Sequence, residues 1–206
     1  MAKAPVAGLA KTRLAPALGE AGAAALAARL LAHAVAQAAA ADLGPVTLWA
    51  TPDASHPAFM QAQRQHGVVL ALQAGGDLGA RMAHVFEAGF AQGDSPILLM
   101  GTDAPALTAA VLRQAAAALR LHDAVWVPAH DGGYALVGLR AATPAWLHAL
   151  FSGMAWSTAQ VMAQTRQRLA DVAIDYTELQ AVDDIDEPAD LAHLPAYFLD
   201  PQEISS

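Results

Sequence analysis

The chain's two lysines, Lys3 and Lys11, lie in one short N-terminal segment that also carries Arg13. No acid appears before Glu20, although the 206-residue chain has a formal net charge of -8. Three cations around Pro5 and Gly8, with no carboxylate to neutralise them, predict a loop that holds an anion, most simply phosphate. Glycine lets the backbone approach closely, backbone N–H groups donate, and Lys and Arg side chains clamp the oxygens. A solvated basic segment that binds nothing has the same composition, and this segment alone does not separate the two.

Carboxylates with a comparable claim come later. Gly101-Thr-Asp103-Ala-Pro105 follows the apolar run Pro96–Met100. An acid at the end of a buried strand is costly unless it is paired or used. Magnesium or manganese, held by one or two carboxylates plus substrate phosphates, would use Asp103. Capping of the next helix is the structural alternative, and Thr102 or Thr108 could do that instead. Near the end, Asp183-Asp184-Ile-Asp186-Glu-Pro-Ala-Asp190 brings further acids. One of Asp184 and Asp186 is expected to reach the cation while the other caps the following helix. The spacing is not that of a calcium-binding EF-hand loop, which needs a central glycine and a terminal glutamate. From Leu169 onward there are ten acids and no Lys or Arg, a run whose commoner meaning is a solubilising face.

Two glycine-rich turns complete the set. Gln73-Ala-Gly-Gly76-Asp77-Leu-Gly79-Ala-Arg81 opens a helix, with Asp77 placed to cap it. Such a turn can meet the flat edge of a nucleobase, although spacing alone favours a plain loop with a cap. His130-Asp131-Gly132-Gly133-Tyr134 is a turn signal first and a site second. Trp156-Ser-Thr158 reads as a helix cap with an anchoring aromatic. Ser157 lacks the Gly-x-Ser-x-Gly surroundings of a nucleophile elbow.

These segments need a frame. Strands are predicted at Pro45–Thr51, Val68–Leu72, Pro96–Met100, Ala124–Pro128, Tyr134–Leu139 and Val172–Tyr176. Helices are predicted at Glu20–Ala40, Pro57–His66, Gly79–Gln92, Thr108–Leu121, Pro144–Leu150 and Ser157–Leu169, with a last one after Glu187-Pro188. Strand–helix alternation is the pattern of parallel βαβ units. The Asp-Gly-Gly link is too short for a parallel crossover, so one antiparallel strand is expected. Ligands of open α/β sheets bind beyond the carboxyl ends of the strands, where these loops fall. With no internal repeat and no low-complexity linker, residues 1–206 read as one domain.

Composition removes several functions. There is no cysteine, which excludes disulfides, thiolate metal sites and cysteine nucleophiles. The eight histidines show no metal-binding spacing. Net negative charge without a basic stripe argues against nucleic-acid binding. The Ala-rich stretch Ala21–Ala41 is interrupted every four residues by Arg29, His33 and Gln37, an amphipathic helix rather than a membrane span. A cytoplasmic location is the expectation.

Six segments taken in order carry a resemblance. They are Lys3-x-Pro5-x-x-Gly8-x-x-Lys11-Thr-Arg-Leu14, Gly76-Asp-Leu-Gly-x-Arg-Met82, Gly101-Thr-Asp-x-Pro105, Asp131-Gly-Gly-Tyr134, Trp156-Ser-Thr158 and Asp184-x-Asp-x-Pro-x-Asp-Leu191. Over nearly the whole chain they resemble the bacterial glycosyltransferase-like proteins of unassigned substrate. That family is grouped with the nucleotide-diphospho-sugar transferases of the GT-A fold and is similar to nucleotidyltransferases. The resemblance implies a three-layer α/β/α Rossmann-like fold, with a mostly parallel sheet and one antiparallel strand. It implies a transferase acting on a nucleotide or nucleotide-sugar substrate, by nucleotidyl or glycosyl transfer. By that likeness Lys3, Gly8, Lys11 and Arg13 serve the phosphates, and Gln73, Gly76, Asp77, Gly79 and Arg81 the base. Asp103 and Asp186 hold magnesium or manganese, with Asp184 in reserve. Lys11, Arg13 and Asp103 are the catalytic set. Asp131, Gly132, Gly133, Tyr134 and Trp156 border the acceptor pocket. A non-catalytic nucleotide-binding or regulatory domain of the same fold is the alternative. Family members have an apolar strand just before the Lys-x-Pro segment, and here Met1-Ala2 stands in its place. The first strand is therefore expected to be missing and the native start to lie upstream, with an exposed sheet edge favouring a homo-oligomer.

Overall fold

The computed structural model describes residues 1–199. Among the described residues there are seven strands: β1 (Ala2–Lys3), β2 (Thr47–Thr51), β3 (Val69–Leu72), β4 (Ile97–Met100), β5 (Ala124–Pro128), β6 (Tyr134–Leu139) and β7 (Tyr176–Glu178). They pair in the orders β1-β2-β3 and β4-β6-β5-β7. β1 and β3 flank β2 in parallel, and β7 runs parallel to β5. β6 is antiparallel to both β4 and β5, as the short Asp-Gly-Gly link requires. The Met1 amino group donates to the Met100 carbonyl at 2.7 Å and joins the two sheets at β1 and β4. The slot expected to lack its strand holds the two-residue β1.

Among the described residues six α-helices cover the strands: α1 (Ala15–Ala41), α2 (Pro57–His66), α3 (Leu78–Ala91), α4 (Ala109–Ala118), α5 (Pro144–Phe151) and α6 (Val161–Asp171). α1 extends before the predicted start at Glu20, but its backbone leaves helical geometry at Gly19, so the sequence boundary marks a real kink. Alternation along β5 explains the layers. Ala124 and Trp126 face a core with Phe86, Leu147, Phe151 and Met162 of α3, α5 and α6. Val125 and Val127 face the opposite core with Leu112 and Ala115 of α4. All five β5 residues are buried, as expected of a strand covered by helices on both sides. Leu31 and Val35 of α1 pack on β1, β2 and α2, and Leu26 and Leu30 meet Ile185, Leu194 and Phe198. α1 is long and apolar enough to cross a membrane, and these contacts use that apolar surface inside the fold.

Caps fix the helix starts. Side chains of His56, Asp77, Thr108 and Thr143 accept from the first turns of α2, α3, α4 and α5. Two expectations fail at the C-terminal end. The predicted strand at Val172–Tyr176 is mostly the closing turn of α6, and β7 starts at Tyr176. Val172 N–H donates to the Arg168 carbonyl and Ile174 N–H to that of Leu169, so β-branched residues finish a helix here instead of opening a ladder. The helix predicted after Glu187-Pro188 is a 3₁₀ segment, Pro188–His193, with a reciprocal capping box between Glu187 and Asp190.

Gly79 shows how tightly the site is framed. It is buried in the first turn of α3, where an added Cβ would collide with the Phe151 carbonyl oxygen and come within 2.9 Å of Trp156 Cζ2. Gly75 has open space around it. Gly79→Ala is therefore expected to lower unfolding stability by about 1–3 kcal/mol, the usual cost of overpacking. Gly75→Ala should leave the denaturant midpoint near the wild-type value, and equal midpoints for the two variants would contradict this packing account.

Candidate functional site

The loops after the strands meet around a cavity of about 580 Å³. Its wall takes Lys3 from the end of β1, Gln73 after β3, Thr102 and Asp103 after β4, and Asp184 and Asp186 beyond β7. This is the carboxyl edge of the parallel strands, where open α/β sheets bind ligands. The volume lies in the range of small-molecule sites.

Cations and carboxylates meet at one end. Lys11 Nζ lies 2.7 Å from Asp103 Oδ1 and 3.4 Å from Asp186 Oδ1, with the lysine side chain only 6% exposed. Arg13 reaches the other Asp186 oxygen at 3.0 Å and Glu187 at 3.6 Å. Lys11 adopts a left-handed backbone (φ 47°) just before the 3₁₀ turn Thr12–Leu14. That conformation is unfavourable for a residue with a Cβ, by about 1–2 kcal/mol, and the ion pairs offset it. Lys3 spans the loop, its ammonium donating to the Leu9 carbonyl at 2.7 Å. Leu9 and Ala10 N–H groups both donate to the Val6 carbonyl, so the grip on an anion falls to side chains more than the sequence reading implied. Gly8 (φ 74°) turns the loop over the Glu20 carboxylate, away from the cavity wall.

Asp184 and Asp186 depart from the expected division of labour. Both line the cavity, while Ile185 between them is fully buried. Positions two apart on an extended segment share a face, so neither is turned toward the helix. Asp190 does the capping, accepting from the Asp186 and Glu187 N–H groups at 2.9 and 2.7 Å. The Ile185 N–H donates to the Asp103 carbonyl at 3.0 Å and ties the two acidic loops together. Burial, and then the nearby Asp131 carboxylate, push the Asp184 carboxyl up to about 6. Asp103 caps nothing, since Thr108 and Gln37 accept from the α4 N-terminus.

The segment after β3 divides into cavity and scaffold. Gln73 donates to the carbonyls of Ala2 (3.1 Å) and Trp49 (2.9 Å), across the ends of β1 and β2. Its oxygen accepts from Arg81 at 3.4 Å, and Arg81 Nε donates to the Gly76 carbonyl at 3.1 Å. Gln73 and Arg81 line the cavity, whereas Gly76, Asp77 and Gly79 do not. Asp77 caps α3 through Ala80 N–H at 2.8 Å, and Gly79 is small because Phe151 and Trp156 press on it.

The opposite wall is apolar and aromatic. Tyr134 and Trp156 stand edge to face with ring centroids 6.4 Å apart, and Met82 and Val137 complete the surface. The Tyr134 hydroxyl touches Met82 Sδ at 3.8 Å, and burial raises its ionisation well above the usual tyrosine value. Trp156 Nε1 is buried without a protein partner. Asp131 closes its own turn by accepting from Gly133 N–H at 2.7 Å, and both line the cavity. Gly132 (φ 93°) sits behind it, where a Cβ would strike the Ala159 carbonyl. Ser157 and Thr158 line the cavity rather than capping a helix: α6 begins at Val161, and Thr158 Oγ1 donates to the Ala155 carbonyl. Their place in the Trp-Ser-Thr segment was the available signal. Met82 ended one of the segments that carry the resemblance, while Val137 carried no signal, because an apolar wall reads as core.

Magnesium and manganese take oxygen donors, often one or two carboxylates completed by phosphate and water. Asp103 and Asp186, with half-exposed side chains on the cavity wall, are carboxylates of that kind. Among the described residues no three His, Asp or Glu side chains converge as a ready cage.

Residues 33–158 match the family model described as an uncharacterized protein conserved in bacteria, DUF2064. No match was found among curated proteins. Among solved structures, a candidate nucleotide-diphospho-sugar transferase from Desulfovibrio desulfuricans G20 is 30% identical, with a TM-score of 0.79 over 99% of this chain and 87% of that one. A cytidylyltransferase from Leptospira borgpetersenii serovar Hardjo-bovis is 12% identical, with a TM-score of 0.51 over 73% of this chain and 64% of that one. A CMP:2-keto-3-deoxy-manno-octonic acid synthetase complexed with CTP is 13% identical, with a TM-score of 0.52 over 82% of this chain and 87% of that one. At those two identities the likeness is one of fold. The chain therefore belongs to the DUF2064 family and has the fold of the nucleotide-diphospho-sugar transferases.

Proposed function

We propose that the cavity binds a nucleotide-activated substrate with a magnesium or manganese ion and transfers its nucleotidyl or glycosyl group to an acceptor. The observation that carries this reading is the convergence of a cationic loop, a carboxylate pair and an aromatic wall in one cavity at the carboxyl edge of the sheet. It is supported by the relative from Desulfovibrio desulfuricans, described as a candidate nucleotide-diphospho-sugar transferase.

Each wall has a role in this reading. Lys11 and Arg13 bind phosphate oxygens, and the Arg81 guanidinium, braced by Gln73 and Gly76, faces the nucleotide. Asp103 and Asp186 hold the cation, which when bound offsets the charge developing on the leaving phosphate. Tyr134 and Trp156 shield the acceptor side from water, and Asp131 offers a carboxylate to acceptor hydroxyls. Basic side chains beside the carboxylate pair suit a triphosphate. This favours nucleotidyl transfer, in which an acceptor oxygen attacks the α-phosphorus and pyrophosphate leaves. In glycosyl transfer the acceptor attacks the anomeric carbon and a nucleotide leaves.

Thermal unfolding against nucleoside triphosphates and nucleotide sugars, with and without magnesium, tests the reading. A ligand at a hundred times its dissociation constant should add about 2.7 kcal/mol. A magnesium-dependent shift with a triphosphate supports nucleotidyl transfer and names the base, and one with a nucleotide sugar supports glycosyl transfer. The absence of a shift with every ligand would sink the proposal. Asp103→Asn separates an enzyme from a non-catalytic binding domain. Its amide oxygen still accepts from Lys11, so the fold should persist while turnover falls about a hundredfold or more, as when a key transition-state contact is removed. Turnover unchanged in this variant would take Asp103 out of the chemistry.

A further inference from the structure

We propose that Lys11 is a resident counter-ion for the Asp103–Asp186 pair, which keeps a lone divalent cation out until phosphates draw the ammonium off the carboxylates. The inference rests on the cation reading above and adds an order of binding to it.

The geometry is that of an occupied site. Lys11 Nζ sits between Asp103 Oδ1 (2.7 Å) and Asp186 Oδ1 (3.4 Å), in the position that bridges the two loops. Its side chain is 6% exposed, while Asp103 and Asp186 are 51% and 43% exposed. The lysine is thus the shielded member, and the carboxylates form the open face. Arg13 takes the second oxygen of Asp186 at 3.0 Å. Lys11 touches both carboxylates, and Arg13, shared with Glu187 at 3.6 Å, touches Asp186, so each carboxylate of the pair already has a cationic partner. A divalent ion arriving alone would meet an ammonium and a guanidinium, and Lys11 would have to lose its partners while shielded from water. Leaving a buried charge unpaired is strongly unfavourable. A phosphate chain removes the obstacle, because its oxygens give Lys11 and Arg13 new partners while the carboxylates are released. Leu14, buried just beyond, anchors the loop while the Lys11 side chain changes partners.

Manganese serves as the probe, with binding read from the electron paramagnetic resonance signal of free Mn²⁺ and from water-proton relaxation, neither of which needs turnover. Wild-type protein should bind Mn²⁺ weakly by itself. Lys11→Met should bind it at least about tenfold more tightly, since a unit charge a few ångströms from the ion is removed. Lys11→Gln should do the same and serves if the Met variant fails to fold, as checked by circular dichroism. In wild-type protein, inorganic pyrophosphate should raise the relaxation enhancement that reports protein-bound Mn²⁺. Equal Mn²⁺ affinity in wild type and variants, or no enhancement with pyrophosphate, would overturn the counter-ion role while leaving a cation site standing. No Mn²⁺ binding by any of these proteins, with or without pyrophosphate, would remove the cation reading and this inference with it.

Discussion

The contact between Lys11 and the two carboxylates of Asp103 and Asp186 holds the functional edge together. Three loops that are distant in sequence end at one ammonium. Without it, two carboxylates would face each other across a cavity and drive their loops apart. With it, the Ile185 N–H can reach the Asp103 carbonyl, and the acidic segment runs along the edge of the sheet. The cost is a lysine in a left-handed backbone with a shielded side chain. A strained residue with a charge to place is a common mark of functional loops.

The sheet sets the geometry that this contact exploits. Parallel strands deliver their loops to one edge, and the antiparallel β6 returns the chain so that Tyr134 starts at that same edge. Close packing then shapes the aromatic wall. Gly79 and Gly132 have no room for a side chain because Phe151, Trp156 and Ala159 lie against them. Two glycines of turn-like sequence therefore act as spacers that let helices approach the cavity. The indole N–H of Trp156 is buried with no protein partner.

Much of this was legible in the sequence, for identifiable reasons. The alternation of apolar runs with Ala-rich helical stretches gave β5 and β6 to the residue, because buried strands have few competing readings. The short link between them forced an antiparallel pair. The cationic segment, Asp103, Asp186, Tyr134 and Trp156 all line one cavity, Asp103 and Tyr134 as their loops after predicted strands suggested and Trp156 as the resemblance implied. Asp77 caps α3, as its place before the helix suggested. Where the reading failed, local signals had two uses. Val172 and Ile174 look like strand residues, and they close α6 because Leu169 and Ile174 are buried in one core cluster. Asp184 and Asp186 were assigned different tasks, although their two-residue spacing places them on one face.

By itself the sequence determined most of the elements, the antiparallel turn between β5 and β6, the absence of thiol chemistry and the supply of charged groups. Those follow from periodicity, loop length and residue type, which are local. Only the tertiary structure decided which charges meet. Nothing in the segment before Glu20 says that Lys11 will find carboxylates, since its partners arrive from loops folded in from the middle and the end of the chain. Nor does sequence tell which glycines are spacers and which are turns, because that depends on the atoms a Cβ would meet. Ion pairing and close packing are set by distances in space, and those distances exist only once the sheet has brought the loops to one edge.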